Sequence, residues 1–321
     1  MDPRPGGGRP APALTGAATG GAGADGPATS PGPFSSTPDL RTTSPDGARL
    51  ALFRVRPRDE TGASASSGET RIDRPALLLV HGATADHTTW RAVGPAFAAS
   101  RPTFAIDRRG RGASGDAETY AIEREFEDIA AAADAIGRAT GTKVDVVGHS
   151  YGGRVALGAS LLTDSICRLV VYEGAPVPPG MSYRPPGLVE AVRAALERGD
   201  NEGALTTFLA GIVGMSDAAL AAYRADPVWP VRVAAAPTIL REIEAEATPA
   251  AGLDALGRVR IPVLLILGSI SRSPFRIGTD ELARRLRDVR VATIAGAAHA
   301  AHHTHAPEFV RLVEDFLDRH D

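Results

Sequence analysis

The chain has 321 residues, room for one large or two small domains, and 43% of them are hydrophobic, which supports a sizeable core. A net charge of -3 gives no electrostatic ground for nucleic acid or an anionic membrane as a partner. The single cysteine, Cys167, excludes an intramolecular disulfide and agrees with a reducing, cytoplasmic setting; it opens an apolar run and is expected to pack as a small hydrophobe.

Residues 1–38 are dominated by Gly, Ala, Pro, Ser and Thr. With almost no bulky apolar side chain to offset ordering entropy, they are expected to form a disordered low-complexity tail. They lack the apolar stretch of a secretory signal, and no apolar run approaches the roughly 18–20 residues that span a bilayer, so no membrane partner is expected.

Residues 40–43, the turn SPDG at 44–47 and residues 49–55 read as an antiparallel hairpin. Alternation in its second arm puts Leu50, Leu52 and Arg54 on one face and Ala51, Phe53 and Val55 on the other. Residues 58–73 are polar and small, hence a loop. The run ALLLV at 76–80 is continuous and apolar, as in a strand covered on both faces. His81-Gly82-Ala83 ends it. Trp90, Val93 and Phe97 then recur at helical spacing, residues 103–107 (TFAID) form a strand, and RGRGASG at 109–115 is a loop. Residues 120–137 form a helix with Ile122, Phe126, Ile129 and Ala133 on one face.

Residues 143–147 (KVDVV) read as a short buried strand, 148–153 as GHSYGG, and 154–162 as a helix. A serine flanked by glycines two positions away, at a strand-to-helix junction, is the G-x-S-x-G nucleophile elbow. Its sharp turn needs small residues there, pushes the Ser150 hydroxyl out of the sheet, and aims the Tyr151 amide at the place where an oxyanion would form.

Strands follow at 168–173, 262–267 and 289–294, with helices at 279–286 and 307–319. Between them, residues 177–249 show helices at 187–198, 204–213, 217–224 and 236–244 and no strand. The alternation predicts an α/β fold: a mostly parallel, doubly wound sheet of residues 39–176 and 250–321, with an N-terminal antiparallel hairpin and a helical cap at 177–249. Most of the cap's large apolar residues (Met181, Tyr183, Phe208, Met215, Tyr223, Trp229) are expected to hold it together, with some left to line a pocket for a partly apolar small molecule. The strand ends converge on one edge, where a site is expected.

A serine hydroxyl needs a base. His299, in the small-residue loop IAGAAH at 294–299, is the best placed. His302, His303 and His305 stand nearby, but no carboxylate or cysteine cluster accompanies them. They read as exposed loop or helix-start residues, and no metal is expected.

The sequence resembles the α/β-hydrolase fold superfamily from about Thr37 onward. The resemblance is carried by HGA at 81–83, DRRGRGAS at 107–114, GHSYGG at 148–153, LVVYEGAP at 169–176, PVLLILG at 262–268 and GAAH at 296–299. It implies Ser150 as nucleophile, His299 as general base, the Ala83 and Tyr151 amides as oxyanion hole, Asp107 as a structural residue, and no cofactor. The chain departs from the family at the acid. The usual loop reads Gly268-Ser269-Ile270-Ser271-Arg272-Ser273-Pro274, with no carboxylate before Asp280. Glu173, ending the strand after the elbow helix, is one substitute; a dyad or degraded site, and Asp280 or another carboxylate, are the others.

The expected activity is a cofactor-free hydrolysis of an ester or thioester through an acyl-enzyme on Ser150. The same groups serve C–C hydrolysis and acyl transfer. A non-catalytic binding protein is the competing class, supported by the missing acid. Dehalogenase or epoxide-hydrolase chemistry needs a carboxylate at position 150, and nucleotide binding lacks its glycine-rich loop.

Overall fold

The computed structural model describes residues 32–58 and 74–319. Eight strands form one sheet: β1 (Leu40–Thr43), β2 (Arg49–Arg54), β3 (Ala76–Val80), β4 (Thr103–Asp107), β5 (Val144–His149), β6 (Ile166–Tyr172), β7 (Val263–Gly268) and β8 (Val289–Ile294). Their order is β1-β2-β4-β3-β5-β6-β7-β8. β1, β2 and β4 pair antiparallel, and every other pairing is parallel. The expected sheet and hairpin are therefore present.

β3 buries all of its residues because its two faces meet different layers. Leu78 and Val80 pack with Phe126, Ile129 and Val155 of the helices Ile122–Thr140 and Tyr151–Ala159. Leu77 and Leu79 pack with Trp90, Phe97 and Phe309 on the other side. Each fully buried leucine contributes about 1.5–3 kcal/mol, so this centre holds the strand ends in fixed register. The helix Ile122–Thr140 stops where Gly141 takes the left-handed conformation (φ 71°).

Among the described residues, the stretch between β6 and β7 holds helices and no strand: Leu188–Glu197, Asn201–Phe208, a π-helical turn Leu209–Val213, Asp217–Tyr223, Trp229–Ala234 and Ile239–Ala245, before two short turns that lead into β7. Leu188, Val192, Leu205, Phe208, Trp229 and Ile239 form its own apolar centre. No described helix is long and apolar enough to cross a membrane.

Several expectations shift. The helix after β7 runs Ser273–Ala283 rather than 279–286, because Pro274 sits in its first turn, where the missing N–H costs nothing. Trp229–Ala234 was hidden for the same reason, with Pro230 near its start. Of the proposed tail, residues 32–38 are described, and Phe34 packs edge-on against His87 at 5.0 Å. The rest of the tail and most of the 58–73 loop lie outside the described residues. Cys167 does more than pack: its thiol donates to Asp145 Oδ1 at 3.1 Å, and burial beside that carboxylate pushes it up to about 12, far from a thiolate.

Candidate active site

Ser150 lies between β5 and the helix Tyr151–Ala159 with φ 54° and ψ -124°, a strained conformation for a residue with a side chain. The turn closes only because its glycines are bare. A Cβ on Gly148 would sit 2.6 Å from Gly153 Cα, and one on Gly152 would strike the Val80 carbonyl at 2.6 Å. Ser150 N donates to Tyr172 O at 2.8 Å, which ties the turn to the end of β6.

Tyr151 is the first residue of its helix, so its amide has no intrahelical acceptor. Ala83 follows β3, beside Thr84 at φ 56°. Neither amide has a backbone partner among the described residues, and Ala83, Ser150 and Tyr151 line one cavity. His81 beneath them is fully buried; its Nδ1 donates to Gly82 O (2.8 Å) and its Nε2 accepts from Arg108 N (3.1 Å). Burial and the Arg108 charge hold it neutral, well below the usual histidine range.

The structure brings Glu173 and His299 together. Glu173 stands one residue past β6 at φ 50°, buried. Its Oε2 accepts from His299 Nδ1 at 2.6 Å. Its Oε1 accepts from Gly268 N at 2.8 Å and from the Ser271 hydroxyl. The loop that lacks a carboxylate thus supplies two donors to one from the neighbouring strand. A carboxylate oxygen is the natural acceptor, so Nδ1 is the donor of this contact and Nε2 is left free of it.

The ring is held from several sides. Phe275 stacks on it at 4.5 Å, and His149 lies 4.7 Å away. His149 Nε2 donates to the His299 carbonyl at 2.8 Å, while Tyr172 OH donates to Ala298 O and accepts from Ala301 N at 3.0 Å. Sequence reasoning missed Ser271, Phe275, His149 and Tyr172. Only proximity to the motifs marked them, since their partners lie far along the chain. Asp280 is exposed on its helix and is not brought to His299.

The other histidines correct the sequence reading. His302 is buried, and His303 and His305 are half-buried, because the turn Ala301–Thr304 folds back over Trp90 and Phe309. His303 Nε2 meets Thr89 Oγ1 at 3.2 Å, and burial lowers its pKa to about 4. Asp86, His87 and Asp107 bring ligand-type atoms within 4.8 Å of one another, but these atoms are already engaged. Asp107 accepts from His87 N, His87 Nδ1 and Ala113 N, and Asp86 caps Thr88 N. Asp107 is thus tied into its loop by these contacts.

A family model described as "Alpha/beta hydrolase family" matches residues 77–312. A pimeloyl-[acyl-carrier protein] methyl ester esterase of Neisseria meningitidis serogroup A is 31% identical over 263 residues, covering 75% of this chain and 76% of that protein. Among solved structures, an alpha/beta hydrolase of Sphaerobacter thermophilus is 28% identical with a TM-score of 0.66, covering 85% of this chain and 100% of the other. A hydrolase from Pseudomonas aeruginosa shares the fold at 23% identity and a TM-score of 0.68, covering 87% of this chain and 98% of the other.

Proposed function

The chain belongs to the alpha/beta hydrolase family and is a hydrolase, and from that premise we propose that it cleaves a carboxylic ester or thioester through an acyl-enzyme on Ser150. The observation that carries this reading is the 2.6 Å contact between His299 Nδ1 and Glu173 Oε2. It supports Glu173 as the acid that the 268–274 loop lacks, and so weighs against a binding protein without catalysis.

His299 Nε2 takes the Ser150 proton as Oγ attacks the carbonyl carbon. The negative charge collects on the former carbonyl oxygen, where the Ala83 and Tyr151 amides stabilise it; one such donor is worth roughly 10²–10³ in rate. Collapse expels the alcohol or thiol, which leaves with the proton from His299. Water, deprotonated by the same nitrogen, then attacks the acyl carbon and regenerates Ser150 with release of the acid. Glu173 keeps its contact with Nδ1 and stabilises the imidazolium of each half-reaction. The helices of 177–249 act as a cap over this edge. Curated relatives named for a methyl ester make an oxygen ester the first class to try.

A fluorophosphonate probe tests the reading. It is expected to label the wild-type protein at Ser150 and to leave Ser150→Ala unlabelled; a wild-type protein that resists labelling at pH 8 would overturn it.

A further inference from the structure

Two cavities approach the Ser150–His299 region, and they differ in size and chemistry. The first, about 40 Å³, is lined by Ala83, Ser150, Tyr151, Glu173, Phe208 and Phe275, and His299 is not among its walls. The second, about 620 Å³, is lined by His299, Ala300, His302, His303, Arg91 and Arg232, and Ser150 is not among its walls. The π-helical turn Leu209–Val213 separates them: Phe208 and Ile212 face the small cavity, Leu209 and Val213 the large one. Arg272 fixes this partition by donating to the carbonyls of Gly211 and Ile212, the latter at 2.7 Å.

The proton that His299 removes from Ser150 has to reach the leaving oxygen, so the leaving group departs on the imidazole side and the acyl group lies on the side of the oxyanion amides. That places the acyl group in the small cavity, whose volume holds about three waters, and the leaving group in the large one.

The large cavity is built to meet an anion. Arg232 donates to Ala83 O (3.1 Å) and Thr84 Oγ1 (3.2 Å), and among the described residues no carboxylate pairs with it. Arg91 pairs through Nη2 with Asp226 at 2.6 Å, while its buried Nη1 has no partner. Against the single Asp226 charge these two cations leave an excess of one. His302, 1% exposed, has both ring nitrogens unpartnered. A buried donor without an acceptor is costly, so Arg91 Nη1 and the one N–H of the neutral His302 ring favour a ligand that accepts hydrogen bonds. Met215 and Tyr223 give the same cavity an apolar wall.

Building on the acyl-enzyme reading, we propose that this hydrolase is selective for short-acyl esters whose leaving group is a ring or chain bearing a carboxylate, held by Arg91 and Arg232. The expected substrate thus differs from a long acyl chain on a small alcohol.

The test compares para-acetoxybenzoate with its neutral methyl ester, each also as the octanoyl analogue. The carboxylate is expected to raise kcat/KM by roughly tenfold or more, the scale of one charge-assisted hydrogen bond, and octanoyl to lower it. In Arg91→Met, which touches neither Ser150 nor the oxyanion amides, the ratio of anionic to neutral ester falls to about one; Arg232→Met is the second variant. Equal rates for both esters, or faster turnover of the octanoyl esters, would overturn the proposal and leave the Ser150 chemistry standing. Calorimetric binding of para-hydroxybenzoate to Ser150→Ala needs no turnover. Binding lost in Arg91→Met supports the cavity assignment even if no ester is cleaved, whereas no binding overturns it.

Discussion

β3 and the helix Ile239–Ala245 both border the site, yet they are held by opposite means. β3 has no polar side chain and is enclosed by leucines and aromatics on each face. The helix meets the sheet through charge. Arg108 and Arg111, both buried, grip the same oxygen of Glu242, and Arg108 also lies 3.3 Å from Glu125. Arg241 reaches Asp116 at 2.6 Å and Arg154 reaches Glu246 at 3.3 Å. Arg108 further covers the Tyr151 ring at 4.7 Å, so the seam touches a residue proposed for the oxyanion hole. Apolar packing fixes where Ser150, Glu173 and His299 stand; directional ion pairs fix how the helical insertion sits against them.

Removing the shared anion breaks this comparison most severely. Glu242→Ala leaves two buried guanidinium groups without their partner and is expected to cost about 3–5 kcal/mol in denaturant unfolding; a loss below about 1 kcal/mol would mean that the seam is not held by charge. Acid acts next. Burial holds His81, His149 and His302 neutral, their pKa values well below the usual 6.5. Below that value the unfolded chain binds protons that the folded chain refuses, so stability is full above pH 6.5 and falls as pH drops. The loss is read as a Tm that falls steadily as the pH is taken below 6.5. Leu79→Ala, in the centre of β3, is expected to cost about 3 kcal/mol through its cavity, with no change in the pH profile. Arg193→Ala removes an ion pair whose partners are 49% and 61% exposed, and stays within about 0.5 kcal/mol. A larger effect there would blur the distinction between buried and exposed charge.

The same contrast explains what the sequence could be read for. ALLLV and PVLLIL announce covered strands because apolar runs this short, bounded by loop residues, suit a strand better than a helix, and GHSYGG announces the elbow because bare glycines are a steric requirement. Ion pairs carry no such local mark. Arg108 and Glu242 are 134 positions apart, and Glu242 in REIEAE reads as a solvated helix face. Ser271 likewise gains its meaning only from the Glu173 carboxylate that β6 delivers beside it. His302 was expected to be exposed because its burial depends on Trp90 and Phe309, neither of which is near it in sequence. The departure from the family pattern at 268–274 was visible, and Glu173 was one of the substitutes it suggested. What favours it over the others is the 2.6 Å contact with His299, which no local sequence pattern encodes.

Glu173→Gln tests the central claim most directly. The amide keeps the shape and the acceptor oxygen but loses the charge that the proposed mechanism uses to orient His299 and stabilise its imidazolium. On an ester that the wild type cleaves through Ser150, kcat/KM is expected to fall by about 10⁴ with KM changed little. An unchanged kcat/KM would contradict the assignment of Glu173 as the acid of this site.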